Sequence, residues 1–257
     1  LQNNTFSALF VGQNLLTLKV VNSTNDFLKN LLSNSKPLPE GTVIMADSQF
    51  AGRGQQQNIW HSEPGKNLTF SLLLNPMFLD IADQFDLNRA ISLGVFDSLE
   101  PLLGNGLKIK WPNDIYYGDK KLGGILIENV IQGTQIKNAI IGIGLNINQY
   151  SFPEAAGNAI SLKQILHKDY DLRALLYDIC SHIEAWYLKL RAAKKETVRI
   201  AYLDRLYWLN QQKQFRSNNS TFTGVITNVK SNGLLVIEND KDQELEFNLK
   251  EIEFLNK

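Results

Sequence analysis

Four strand candidates stand in close succession between Leu107 and Ile147, and a block of that kind has to fold as a sheet. They are Leu107 to Trp111, Ile115 to Tyr117, Leu122 to Val130 and Ile136 to Ile147. Tyr117-Gly118-Asp119-Lys120 reads as a hairpin turn between two of them. Leu15 to Val21, Thr42 to Ala46 and Leu68 to Leu74 read as further strands. Helical signals are interspersed with them. Ser23-Thr24-Asn25-Asp26 looks like a capped helix start, with Phe27, Leu28, Leu31 and Leu32 as its apolar stripe. Pro37 and Pro39 end it. Leu87 to Leu103 reads as a second helix. A long third helix begins at Asp171, with apolar positions from 172 to 190 at the 3.6 period. Glu196 to Leu209 continues as a fourth.

After Asn210 the helical period disappears. Thr221 to Val229, Gly233 to Glu238 and Glu244 to Phe247 are short β-prone runs between Asn, Gly and Asp turns. We place a boundary near Gln211, with 1–210 as the main domain and 211–257 as a small β-barrel. A module that small leans on its neighbour for a core.

The 257 residues are 44% hydrophobic and 20% charged, as in a soluble globular protein. Lys and Arg number 26 and Asp and Glu 26, a balance that speaks against a duplex-DNA binder. Cys180 is the one cysteine, so no internal disulfide forms, and a reducing, cytoplasmic setting fits. It sits in a buried helical register and reads as packing. No apolar run approaches the roughly 20 residues of a membrane span. Leu1 to Gly12 lacks a secretory signal pattern. His61, His167 and His182 show no metal-ligand spacing, so no zinc is expected.

Four segments suit chemistry. Gly52-Arg53-Gly54 lies in a polar, Gly-rich stretch from Asp47 to Lys66. Glycines admit an anion to the backbone and arginine offers a fork of donors; a mobile surface loop is the plainer reading. In Lys110-Trp111-Pro112-Asn113-Asp114 a strand runs into a proline-fixed turn. Asp114 suits a hard cation such as Mg²⁺ and Asn113 a ligand oxygen, although both residue types also cap turns. Lys121 follows seven residues later, beside Gly123 and Gly124; a hairpin brings it to Asp114. Gly142 and Gly144 alternate along an apolar strand, with Asn146 at the same parity. They bare one face for a flat ligand or for close strand packing. Ser23-Thr24-Asn25 caps a helix and also suits a buried ureido or carbonyl group.

In this order, Ser23 to Asn25 (STN), Gln49 to Gly54 (QFAGRG), Lys110 to Asp114 (KWPND), Lys121 to Glu128 (KLGGILIE) and Gly142 to Asn148 (GIGLNIN) resemble the biotin–protein ligases. The resemblance implies a class II synthetase-like α/β catalytic domain with a mixed sheet and flanking helices, followed by an SH3-like β-barrel. It implies activation of biotin by ATP to biotinyl-5'-AMP, then transfer to a lysine of the biotin carboxyl carrier domain of a biotin-dependent carboxylase. By the resemblance, Lys121 meets the biotin carboxylate and the α-phosphate, and Asp114 holds Mg²⁺ or aligns the nucleophile. Ser23, Thr24, Asn25 and Gln49 meet the biotin rings. Gly124, Gly142 and Gly144 offer a smooth wall. Gly52, Arg53, Gly54 and Trp60 form a loop that closes over the ligand. Arg53, Gly54, Gln55, Asn113 and Asn146 lie on the nucleotide side, with Ser151 to Ser161 as a second loop.

Two departures from the family pattern stand out. Many relatives follow the GRG with arginine and glycine, whereas this chain has Gln55-Gln56-Gln57-Asn58. Some relatives carry an N-terminal helix-turn-helix domain. Only about 14 residues precede the first strand here, which predicts no such domain and no operator binding. The resemblance leaves homodimerisation open. The alternatives weighed are a lipoate or octanoate ligase or transferase of the same fold, and an inactive biotin-binding scaffold.

Overall fold

A computed structural model describes residues 8–34, 37–55 and 58–255. Strands β1 (Leu15–Val21), β2 (Val43–Gln49), β3 (Leu68–Leu74), β4 (Leu107–Lys110), β5 (Asp114–Tyr117), β6 (Lys120–Gln132) and β7 (Gln135–Leu145) form one sheet. Their order is β1-β2-β3-β7-β6-β5-β4. Only β1 and β2 pair in parallel, joined by helix α1 (Thr24–Asn34). The remaining pairs are antiparallel. The sheet is therefore mixed, as expected.

Alternation along the strands separates two faces. Leu68, Phe70, Leu72 and Leu74 of β3, with Ile141, Ile143 and Leu145 of β7, join the main core. That face lies against helices α2 (Gln84–Leu103), α4 (Leu172–Arg191) and α5 (Lys195–Asp204). Gly94 lets α2 and α4 meet closely, because a Cβ there would fall 2.5 Å from the Ile183 Cα. The opposite face is covered by α1 around Leu28, Ile44, Leu73 and Ile140. Beyond α1 this face presents Thr69, Ser71, Gly142, Gly144 and Gly124, with no large apolar side chain among them.

Cys180 is buried on α4, and desolvation pushes its thiol up to about 12. It is packing, as its register predicted. On the same helix the buried Glu184 accepts the backbone N–H groups of Leu9, Phe10 and Val11 at 2.6, 2.7 and 2.9 Å. That carboxylate ties the segment before β1 to the core.

Several boundaries differ from the sequence reading. The strand expected at Thr42 to Ala46 runs on to Gln49. Helix α5 stops at Asp204 instead of Leu209, because the next residues pair with strands. Tyr207 N donates to Ile109 O at 2.8 Å and Asn210 N to Ile226 O at 3.0 Å. A short helix α3 (Leu162–Leu166), held by a capping box between Ser161 and Gln164, was not anticipated.

The expected SH3-like β-barrel is corrected to an open antiparallel sheet. Its strands are β8 (Gln212–Ser217), β9 (Ser220–Val229), β10 (Leu235–Asn239), β11 (Glu244–Phe247) and β12 (Glu253–Phe254), in the order β11-β10-β9-β8-β12. Closure would require β12 to pair with β11 as well. β12 is two residues long and pairs only with Phe215 and Arg216 of β8. Trp208, Phe215, Phe222, Phe247 and Phe254 instead form a chain of ring contacts, some stacked and some edge-on, with centroids 5.4 to 6.1 Å apart. The sheet leans on the larger unit, as its size predicted. Trp111 Nε1 donates to Gly233 O at 2.9 Å, and Arg89 Nη2 donates to the carbonyls of Val229 and Lys230.

Candidate active site

A cleft of about 360 Å³ opens on the sheet face that α1 leaves uncovered. Its floor is one row of directly opposed residues crossing five strands. Thr69 faces Gly144, Gly144 faces Gly124, Gly124 faces Asp114 and Asp114 faces Lys110. All five line the cleft. The glycines make the space. A Cβ on Gly144 would lie 2.5 Å from the Trp60 ring, and one on Gly142 would lie 2.5 Å from Asn25 Oδ1. A Cβ on Gly124 would come within 3.0 Å of Asp114 and 3.3 Å of Lys121.

One end of the row is bordered by hydroxyls and amides and is rich in hydrogen bonds. Thr24 N donates to Gln49 Oε1 at 2.7 Å, and the Thr24 hydroxyl lies 3.1 Å from the same oxygen. Ser71 Oγ lies 2.7 Å from the Thr24 hydroxyl and 2.6 Å from Asn25 Oδ1. Asn25 Nδ2 donates to Glu128 at 2.8 Å. Hydroxyls in such a chain can reverse their donor direction to meet a ligand carbonyl or N–H. The extension of β2 to Gln49 is what brings that amide here.

The middle of the row is charged. Lys121 Nζ lies 2.7 Å from Asp114 Oδ2, both side chains about a third exposed. The hairpin expected from the sequence brings them together. The segment expected as a second loop holds the lysine's backbone: Lys121 N donates to Asn158 O at 2.8 Å, and Ile160 N to Lys121 O at 2.9 Å. The turn before Asp114 is braced from behind. Asn88 Nδ2 and the Tyr202 hydroxyl both donate to Pro112 O, at 2.9 and 2.7 Å. Asn113 points inward and donates to Ile125 O at 2.6 Å, away from the cleft.

The Gly-rich loop doubles back over the cleft, with Arg53 bridged to Ile59. Trp60 N donates to Gly52 O and Gly54 N to Asn58 O. Arg53 Nη2 lies 2.5 Å from Asp26 and 3.0 Å from Glu128. Gln56 and Gln57 lie outside the described residues.

Ser23, Thr24, Asn25, Gln49, Arg53, Gly54, Gln55, Trp60, Asp114, Lys121, Gly124, Gly142 and Gly144 therefore border one cleft. Gly52, Asn113 and Asn146 stand just outside its lining. Asn146 is buried, with Nδ2 3.4 Å from Lys121 O. The sequence reading gave no role to Thr69, Ser71 or Lys110, nor to Leu249 and Phe254 at the cleft's far edge. Strand parity with Gly142 and Gly144 becomes a signal for Thr69 and Ser71 only once β3 is known to pair with β7. No short-range signal marks Leu249 or Phe254. Among the described residues no three His, Cys, Asp or Glu side chains gather as a metal cluster, and no helix is long and apolar enough to cross a membrane.

The family model described as the Biotin/lipoate A/B protein ligase family matches residues 17–146. The chain belongs to this family. The matched span holds the whole floor of the cleft, from Thr69 to Lys110. Among relatives, the "Bifunctional ligase/repressor BirA" of Bacillus spizizenii is 32% identical over 232 residues, covering 89% of this chain and 70% of that protein. The "Biotin--[acetyl-CoA-carboxylase] ligase" of Paracoccus denitrificans is 26% identical over 76% of this chain and 82% of that one. Among solved structures, the biotin protein ligase from Aquifex aeolicus in complex with biotin and ATP aligns with a TM-score of 0.79 at 27% identity. That alignment covers 95% of this chain and 100% of that one.

Proposed function

We propose that the chain is a biotin–protein ligase, activating biotin with ATP and transferring it to a carrier lysine. The row from Thr69 to Lys110 carries this reading: an end of hydroxyls and amides, a glycine floor and an Asp–Lys pair beyond it. A ureido ring needs several donors and acceptors to leave water. Ser23, Thr24, Asn25 and Gln49 supply them, with Trp60 closing over the ring at Gly144. The acyl chain then runs over Gly144 and Gly124 toward Lys121.

In the first step a carboxylate oxygen of biotin attacks the α-phosphorus of ATP. The bond to the bridging oxygen breaks and pyrophosphate leaves with its electron pair. Lys121 offsets the charge that gathers on the carboxylate and α-phosphate oxygens. In the second step the carrier amine attacks the acyl carbon, gives up a proton, and AMP leaves. Arg53 and the loop keep the mixed anhydride from water between the steps.

A single carboxylate completed by nucleotide phosphates is the donor set that Mg²⁺ takes, and Asp114 fits it. Held there by Asp114, the ion would supply neutralisation of phosphate charge. Asn113 acts in this reading by fixing the turn before Asp114, and Asn146 by fixing the start of β6. The division at 210/211, a biotin carboxyl carrier domain as the partner and a cytoplasmic setting belong to the same proposal.

Heats of binding test it. Biotin is expected to bind the protein on its own, and ATP with Mg²⁺ added to that complex to release pyrophosphate. Binding of lipoate or octanoate without biotin would overturn the roles given to Thr24 and Gln49. Biotin binding with no pyrophosphate release would leave the inactive scaffold.

A further inference from the structure

Glu128 closes the motif that begins at Lys121, yet the sequence reading gave it no role, and it stands just behind the cleft lining. On β6 it shares a face with Gly124 and Leu126. Across the same face Ser71 is opposite Gly142, and Gly142 is opposite Leu126. Gly142 carries no side chain, so the Asn25 amide lies over it and reaches from β3 to β6. Asn25 Nδ2 donates to Glu128 Oε2 at 2.8 Å, with Leu126 O at 3.4 Å on the same side. Asn25 Oδ1 lies 2.6 Å from Ser71 Oγ, which lies 2.7 Å from the Thr24 hydroxyl. Asn25, Ser71 and Thr24 are all buried.

Proton accounting gives this chain a direction. A carboxylate only accepts, so Asn25 turns its NH2 to Glu128 and its carbonyl to Ser71. That carbonyl takes the single proton of the Ser71 hydroxyl. Ser71 then has none for Thr24, so the Thr24 hydroxyl donates to Ser71. Thr24 lines the cleft, and with its proton turned inward it offers a ligand lone pairs only. Gln49 is fixed in the same way. Thr24 N donates to its Oε1 at 2.7 Å, which leaves the Gln49 NH2 as a donor. A ligand N–H is then matched by Thr24 and a ligand carbonyl by Gln49, the pattern of a cyclic urea. Were the Asn25 amide reversed, each proton would reverse with it, and Thr24 would donate to the ligand.

We infer that Glu128 is a positioning residue that determines specificity. Through Asn25 and Ser71 it sets Thr24 to accept a ring N–H, and so selects against a ring that presents an oxygen there. This rests on the biotin reading above. The same carboxylate also meets Arg53 Nη2 at 3.0 Å, so its two effects have to be told apart.

The test uses the whole chain and dissociation constants for biotin and for its two cyclic carbamate analogues, each with one ring N–H replaced by oxygen. The wild type is expected to prefer biotin over one of the analogues by about a hundredfold or more, because two oxygens then face each other at Thr24. Glu128→Gln keeps the shape and lets the Asn25 amide turn. It should narrow that preference about tenfold, weakening biotin and strengthening the carbamate. A merely structural defect would weaken both ligands alike and leave the ratio unchanged. Asp26→Asn removes the other carboxylate on Arg53, at 2.5 Å, without touching the Asn25 chain, and should keep the wild-type ratio. Asn25→Ala cuts the chain and leaves Glu128 on Arg53. It should narrow the ratio as Glu128→Gln does, which decides the matter if the glutamine variant misfolds. Wild-type indifference to both carbamates, an unchanged ratio in a folded Glu128→Gln or Asn25→Ala, or an equal narrowing in Asp26→Asn would overturn the assignment while leaving the ligase reading intact. A wild type that binds neither biotin nor a carbamate would overturn both.

Discussion

Lys121→Ala is expected to lower biotin-dependent ATP–pyrophosphate exchange by about a hundredfold or more, the loss typical when a charge-stabilising donor is removed from an active site. Lys121 is the cation nearest the centre of the floor row, 2.7 Å from Asp114 and beside the space that Gly124 leaves open. The substitution removes charge where the attacking carboxylate and the α-phosphate both bring negative oxygens. It leaves the backbone in place, because the clamp at Lys121 uses only N and O, to Asn158 and Ile160. The Asp114–Lys121 pair is partly exposed, so its loss costs stability little. The melting temperature should stay near that of the wild type. Exchange at wild-type rates would remove Lys121 from the chemistry.

Asp86→Ala is expected to cost about 3–5 kcal/mol of unfolding free energy, the usual result of breaking a buried ion pair from one side. Asp86 and Arg89 are both essentially inaccessible, with 0% and 1% side-chain exposure. Burial lowers the arginine's pKa, and Asp86 is the main group opposing that shift. Arg89 also holds the Val229 and Lys230 carbonyls, and Arg199 reaches Asp86 from α5. Removing the carboxylate strands the guanidinium at the junction of α2, α5 and the C-terminal sheet. Denaturant titration should show the loss, with hydrogen exchange rising in β9 and β10. A double variant, Asp86→Ala with Arg89→Met, should recover part of it, because no buried charge is then left at that position. A loss below about 1 kcal/mol would mean that the Val229 and Lys230 carbonyls alone satisfy Arg89.

How much was legible follows from the range of each signal. β3 and β11 match their sequence spans because turns bound them closely. Asp171 announced α4 because capping is local, and its side chain accepts from Arg173 and Ala174. The Asp114–Lys121 pair was legible because a hairpin fixes its own register. The five-strand floor row was not, since it depends on β3 pairing with β7 across an intervening helix. Open or closed was equally out of reach for the C-terminal sheet. That choice turns on whether a two-residue strand pairs on one side or two, and nothing in Glu253-Phe254 decides it. Asn146 shows the limit of parity: it shares a side with Gly142 and Gly144, but β7 ends at Leu145 and the side chain turns to Lys121 O.

The most direct measurement supplies the protein with biotin, ATP, Mg²⁺ and a biotin carboxyl carrier domain, and follows the carrier's acceptor lysine by mass spectrometry. The account predicts biotin on that lysine, with one AMP and one pyrophosphate formed per transfer and none when the lysine is replaced by arginine. An unmodified carrier beside rapid ATP turnover, or a lysine that accepts lipoyl or octanoyl groups in place of biotin, would contradict it.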